Sequence, residues 1–234
     1  MKEIFDRIVP APSLTEVTAN RIRDAITTGD LPLGHKLSEQ RLADMLGVSR
    51  SPVHDALAIL QSEGLVNISP KRGSYVFTPD LKEVDNICEH RALLETGSVR
   101  RAIARNKDKL VAGLQSCVDE MEEALRVNSS TDYTRGDLRF HETIVRASCN
   151  RSIASAYKRT ISPLIALRTH LFTIMNANIE RSLDEHVELL DACKRGDADL
   201  AAALLEDHIG HLIEAYRQEL SSQTGFEDAI TASR

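Results

Sequence analysis

Residues 37–76 read LSEQRLADMLGVSRSPVHDALAILQSEGLVNISPKRGSYV. Ser38 is placed to cap a short helix in which Leu42, Ala43 and Leu46 share one side, and Gly47 stops it. A further helix is expected from Ser51, with Pro52 at its first position, where a missing N–H costs nothing. Val53, Leu57 and Leu60 recur at i, i+4 and i+7 and form its inward face. After Gly64 the period changes. Leu65 to Ile68 and Ser74 to Phe77 are rich in strand formers and flank Ser69-Pro70-Lys71-Arg72-Gly73, which predicts a hairpin with a basic tip. Upstream, Leu14 to Thr28 carries Val17, Ala19, Ile22, Ala25 and Ile26 at helical spacing and ends at Gly29-Asp30. Three helices followed by this hairpin define a winged helix-turn-helix.

The rest of the chain has a different character. Six of seven prolines fall at or before Pro79, and only Pro163 follows. Short elements are therefore expected first and long helices afterwards. From Leu81 to Leu220 apolar residues repeat at helical spacing, among them Leu93, Leu94, Ala102, Val118, Met121, Leu189 and Leu205, which implies an all-α antiparallel bundle. The expected organisation is a mainly α protein with domains at 1–79 and 80–221 and a frayed polar tail at 222–234.

With 234 residues, 42% of them hydrophobic, the chain can bury a substantial core and is too apolar to be disordered. No apolar run approaches the roughly 20 residues that cross a bilayer, and MKEIFDRIVPAPS lacks the apolar core of a signal peptide. A cytoplasmic protein with no membrane partner is expected. Cys88, Cys117, Cys149 and Cys193 are widely spaced with no CxxC pair, which favours buried free thiols over disulfides or a thiolate metal site. The net charge of −6 argues against indiscriminate coating of nucleic acid. Residues 1–79 hold equal numbers of acidic and basic side chains, so all of that excess lies in the second part.

Local features of the first part nevertheless suit DNA. With its apolar face turned inward, the third helix presents Arg50, Ser51 and His54 at its exposed start, where such residues reach base edges in the major groove. Arg50 can hold guanine O6 and N7 in two parallel hydrogen bonds. Ser49, Ser51, Gln40 and Arg41 are candidates for phosphate contact, and Lys71, Arg72 and Gly73 form the hairpin tip. A lone arginine is more often a solvated charge. The ordered set of cap, turn, proline and basic hairpin carries the DNA-binding reading.

The stretch from Leu37 to Val76 resembles the GntR-type winged helix of bacterial transcription regulators along its full length. That family's third helix usually reads SRTPVREAL, so the resemblance gives Arg50 the base-contacting role. His54 stands where a second DNA-contacting Arg is common, and Gln40 stands where some members place one. Histidine is only partly charged near neutrality, so operator binding is expected to strengthen on mild acidification.

In the helical part, Asp137 and His141 are four apart in YTRGDLRFHETIV and share one helix face. His186 lies in LDEHVELL and His208 in LLEDHIGHLIEA, with His211 three residues further on. An aspartate and three imidazoles converging in a bundle suit a divalent transition metal such as Zn²⁺, Ni²⁺ or Mn²⁺. Spacing alone favours solvated histidines. Residues 81–220, however, resemble the FCD ligand-binding domain of the FadR-type branch of GntR regulators. The resemblance rests on RALLE (Arg91 to Glu95), DLRFH (Asp137 to His141), Asn150, Glu185-His186 and Glu206 to Ile209. It implies that Asp137, His141, His186 and His208 are the metal ligands and that Arg91 holds an effector carboxylate. The alternative for Arg91 is an ion pair within the bundle. Four polar ligands would line an acyl tunnel poorly, which disfavours long-chain acyl-CoA as effector.

The function implied is a ligand-responsive regulator, a repressor, sensing a small organic acid and binding a palindromic operator as a homodimer. Two rivals are a metal-responsive regulator in which the ion is the signal and a helical-bundle metalloenzyme. The enzyme reading lacks an evident extra general acid or base.

Overall fold

In this computed structural model residues 12–174 and 179–231 are described. The chain divides into two compact units, Met1–Phe77 and Thr78–Arg234. The first opens with helix α1 (Leu14–Thr27), started by Ser13 in a reciprocal capping box with Glu16. Thr18, Ala19, Ile22 and Ile26 make its buried stripe, whereas Val17 is exposed. Helix α2 (Glu39–Leu46) is capped by Ser38 and closed by Gly47 at φ 68°, a left-handed conformation that favours glycine.

Helix α3 (Arg50–Ser62) starts at Arg50 with Ser49 as N-cap, one residue before the expected Ser51. Pro52 is thus third in the helix. It is tolerated because the N–H groups throughout the first turn have no intrahelical acceptor. Val53, Ala56, Leu57 and Leu60 are all within 1% of complete burial, and α3 packs on α1. Arg23 clamps the same pair of helices through a two-pronged bond to Glu63, 2.7 Å on each prong.

Strands β2 (Val66–Ser69) and β3 (Gly73–Val76) form the hairpin, with Val66 opposite Val76 and Ser69 opposite Gly73. A third strand, β1 (Lys36–Leu37), pairs with the outer side of β3 and gives the antiparallel order β1-β3-β2. Two residues are too few to announce a strand by alternation. At the tip Lys71 adopts φ 68° and Gly73 φ 103°.

The second unit consists of helices α4 (Leu81–Arg126), α5 (Ser130–Ala147), α6 (Arg151–Ile174), α7 (Ile179–Arg195) and α8 (Ala198–Thr231). Helix α4 starts in a capping box between Asp80 and Glu83 and packs on α5, α7 and α8. Asn106 interrupts it at φ −145°, and its side-chain amide donates to the Ala147 carbonyl at the end of α5. Tyr216 of α8 donates to the Pro79 carbonyl at 2.6 Å, so the last helix holds the start of this unit. No described helix is long and apolar enough to cross a membrane.

Three expectations need correction. The expected frayed tail from Ser222 is helical as far as Thr231, because extending a formed helix fixes only one further residue per hydrogen bond; residues 232–234 lie outside the described residues. Cys149 is exposed, at φ 53° in the turn after α5, unlike the buried Cys88, Cys117 and Cys193. Leu93 is exposed rather than part of the core.

Leu57 is 1% exposed at the centre of the first unit. Leu57→Ala should lower the stability of that unit by about 2–5 kcal/mol, read from its denaturant midpoint at unchanged slope.

Candidate functional site

The exposed start of α3 is held by a carboxylate that the sequence reading did not single out. Glu39, in the first turn of α2, accepts from Arg50 Nη2 at 3.1 Å and pairs with His54 Nδ1 at 2.9 Å. Hydrogen bonding to His54, then to Arg50, holds the Glu39 carboxyl below the usual range. The Glu39 hydrogen bond and charge, helped by Asp55 and opposed by Arg50, push the His54 imidazole up. Gln40 is turned along its own helix to Asp44 at 2.8 Å. Ser49 makes no capping bond with its hydroxyl. Arg41, Ser49, Ser51, Lys71, Arg72 and Gly73 are exposed.

Within the second unit, α5 brings Asp137 and His141, α7 brings His186 and α8 brings His208 to one buried point. One donor atom from each lies within 4.8 Å of the others. Asp137, His141 and His186 are at most 1% exposed and His208 is 8% exposed. Each imidazole is anchored through Nδ1. His141 bonds Glu95 Oε2 at 2.7 Å, His186 the Ser182 carbonyl at 2.6 Å, and His208 Glu185 Oε2 at 2.7 Å. Burial, reinforced by neighbouring Arg91 and Arg168, pushes all three imidazoles well below their ordinary value, so they are neutral.

These anchors fix the tautomers. A carboxylate or carbonyl oxygen accepts only, so each Nδ1 carries the proton and each Nε2 a bare lone pair. His141 Nε2 and His186 Nε2 nevertheless face each other at 3.4 Å with no proton to share. Asp137 Oδ1 lies 3.5 Å from His186 Nε2 and pairs with Arg168, while its buried Oδ2 has no hydrogen-bond partner. Burial raises the Asp137 carboxyl against the pull of the Arg168 and Arg91 guanidiniums. Three imidazole lone pairs and an oxygen of Asp137 thus converge, with the other oxygen of that carboxylate left unpartnered.

His211 is not part of the cluster: it stands 2.9 Å from Glu185 Oε1 and is one-third exposed. Arg91 is buried and pairs with Glu95 at 2.6 Å, which is the alternative reading of that residue. Burial disfavours its charge, but Glu95, with Tyr157 and Asp137, more than offsets this and pushes its pKa further up. Its Nη2 is buried with no hydrogen-bond partner, and the residue lines a cavity of about 180 Å³ with Ile87, Tyr157, Ile161 and Leu164. The ion pair is therefore present, and Nη2 is the part of the guanidinium that it leaves without a hydrogen bond.

Glu95, Glu185 and Arg168 were not singled out as site residues by the sequence reading. Arg168 had a signal: it is the lone charge in ISPLIALRTHLF, and a charge on a buried apolar stretch requires a partner.

A winged helix followed by a helical unit with a buried polar centre defines a two-part regulator that binds DNA. Residues 14–76 match the family of bacterial regulatory proteins named gntR, and residues 86–211 match the FCD domain. The gluconate operon transcriptional repressor of Bacillus licheniformis is 32% identical over 189 residues, covering 78% of this chain and 76% of that protein. An HTH-type transcriptional regulator from the TAR-I ttuE-ttuC' intergenic region of Agrobacterium vitis is 38% identical over 148 residues, covering 62% and 86% respectively. A GntR transcriptional regulator from Rhodococcus sp. RHA1 shares the fold, with TM-score 0.72 at 24% identity over 86% of this chain and 98% of that one. The chain belongs to the GntR family of DNA-binding transcription regulators and carries an FCD domain.

The Glu39 contact makes a prediction at the DNA-facing end. His54 should titrate above the ordinary imidazole value of about 6.5, and Glu39→Gln should return it there, as followed by NMR. By linkage, the small stabilisation from this pair is complete below the unfolded value and disappears as pH rises through the raised folded value.

Proposed function

We propose that the protein is a repressor that binds a palindromic operator as a homodimer and releases it when a small organic acid enters the helical unit beside a bound divalent metal. One observation carries the metal part: three proton-free imidazole nitrogens and a carboxylate oxygen of Asp137 lie within 4.8 Å of one another at one buried point. Asp137, His141, His186 and His208 would hold the ion. Two of the donor separations, 3.4 Å between the Nε2 atoms of His141 and His186 and 3.5 Å from His186 Nε2 to Asp137 Oδ1, suit neighbouring ligands of one ion, and a set of three nitrogens and one oxygen suits Zn²⁺ first, with Ni²⁺ or Mn²⁺ as alternatives. The ion would supply a Lewis-acidic attachment point for an oxygen of the effector.

Arg91 supports a carboxylate as the other half of the recognition. Its buried Nη2 has no hydrogen-bond partner and the residue lines a small, mostly apolar pocket, which supports a carboxylate with a short body as the matching chemistry. Two relatives, from Bacillus licheniformis and Bacillus subtilis, are named as gluconate operon repressors, and gluconate is a hydroxy acid. In this reading the acid binds one state of the protein better than the other and shifts the population away from the operator-binding state.

On the DNA side, Arg50 reads a base, with His54 beside it. Ser49, Ser51, Gln40 and Arg41 contact phosphates, and Lys71, Arg72 and Gly73 enter a neighbouring groove. Arg50→Ala should cost roughly 1–3 kcal/mol of specific binding with the fold intact, measured by anisotropy against operator and random duplex; equal affinity of variant and wild type would remove the role.

A gel shift on DNA upstream of its own gene, with hydroxy, keto and sugar acids in the presence and absence of zinc, tests the whole reading. The expected result is operator binding that persists in chelator and is reversed by an acid. Binding switched by metal alone would instead favour the ion as signal. His141→Ala should lower both bound zinc and the melting temperature; unchanged zinc content would end the metal assignment.

A further inference from the structure

The buried carboxylate of Glu95 touches neither the converging lone pairs nor the cavity beside Arg91, yet it is bonded to a residue of each. Its Oε2 accepts from His141 Nδ1 at 2.7 Å. Its Oε1 accepts from Arg91 Nε at 2.6 Å and from the Tyr157 hydroxyl at 3.0 Å. The three donors come from α4, α5 and α6, and Glu95 is 0% exposed, so no water replaces any of them. With Oε1 held by two donors from α4 and α6, the carboxylate is fixed in rotation and keeps Oε2 on His141.

We infer that Glu95 is a positioning residue that sets the tautomer of His141 for metal binding, held in place for this by Arg91 and Tyr157. The inference rests on the metal reading above.

The chemistry follows from which groups donate. Arg91 Nε–H and the Tyr157 hydroxyl both need an acceptor, and His141 Nδ1–H needs another. The carboxylate supplies both. An amide in its place supplies only one oxygen. With that oxygen turned to Arg91 and Tyr157, the amide NH₂ meets His141 Nδ1 and donates to it. The imidazole proton then moves to Nε2 and points into the cluster, where a lone pair is required. Glu95→Gln therefore disables one ligand without altering any of the four. Glu185 performs the same service for His208, but it is one-fifth exposed and water can take its place. The dependence should be steepest at Glu95.

The test uses the full chain stripped of metal. Cobalt(II) is titrated by its visible absorption, and zinc affinity is measured by competition with a chromophoric chelator. Wild type should bind one ion per chain, and Glu95→Gln should bind 10–100-fold more weakly at unchanged helicity. A wild type that binds no ion overturns the metal reading together with this inference. A wild type that binds and a variant that binds equally well overturn this inference alone. ¹⁵N NMR of the histidines in metal-free wild type needs no variant to fold: a proton on His141 Nδ1 is the expected state, and a proton on Nε2 overturns the assignment.

Discussion

A carboxylate with no access to water stands at the centre of the helical unit, and the surrounding structure is arranged around the cost of keeping it there. Moving an ion from water into a protein interior costs several kcal/mol even after relaxation. Asp137 and Glu95 are both fully buried, and so, nearly, are Arg91 and Arg168. Two acids and two bases leave the centre formally neutral, and the three imidazoles add nothing because burial keeps them uncharged. Long helices supply the scaffold this balance requires. Asp137 and Arg168 come from α5 and α6, and Arg91 and Glu95 lie one turn apart on α4. Losing one member would strand its partner, which is why these charges form a set rather than separate surface pairs.

The same balance explains the form of the cation site. With the charges satisfied, what remains is a deficit of protons: every imidazole spends its single N–H on an anchor outside the cluster. Phe140 presses edge-on against His186 with ring centroids 4.4 Å apart and leaves that ring little room to turn. Tight packing and fixed tautomers together make the centre rigid before anything binds, so little ordering is left for binding to impose.

The two units differ in how far their sequences disclose them. The winged helix was legible because its signals are local: Ser38 and Gly47 bracket α2 within ten residues, and the change from helical to alternating spacing falls at Gly64. Even its errors are local, a start displaced from Ser51 to Arg50 and a two-residue strand at Lys36. In the helical unit the spacing of Asp137 and His141 showed a shared face and nothing of what it met. His186 and His208 were joined to them by resemblance alone. Spacing could pair Glu95 with Arg91, one turn away, but not with His141, and it could not pair Arg168 with Asp137, since those partners lie 46 and 31 residues away on other helices. Packing of helices, which residue periodicity does not specify, decides such pairs.

Glu39 bears on how the proposed DNA contact would discriminate. A carboxylate beside Arg50 and His54 offsets the positive charge of the helix start and weakens its attraction to any phosphate it passes. To reach a base, Arg50 must leave an ion pair in which it is itself about two-thirds exposed. Exposed pairs are worth roughly 0–1 kcal/mol. A guanidinium placed on the correct guanine gains about 1–3 kcal/mol of discrimination, so the exchange favours the matched site. Against a wrong base the gain is absent and the cost of leaving Glu39 remains. An acid at the reading end thus lowers affinity everywhere by a small amount while preserving the difference between operator and random duplex, which fits a protein whose net charge is negative.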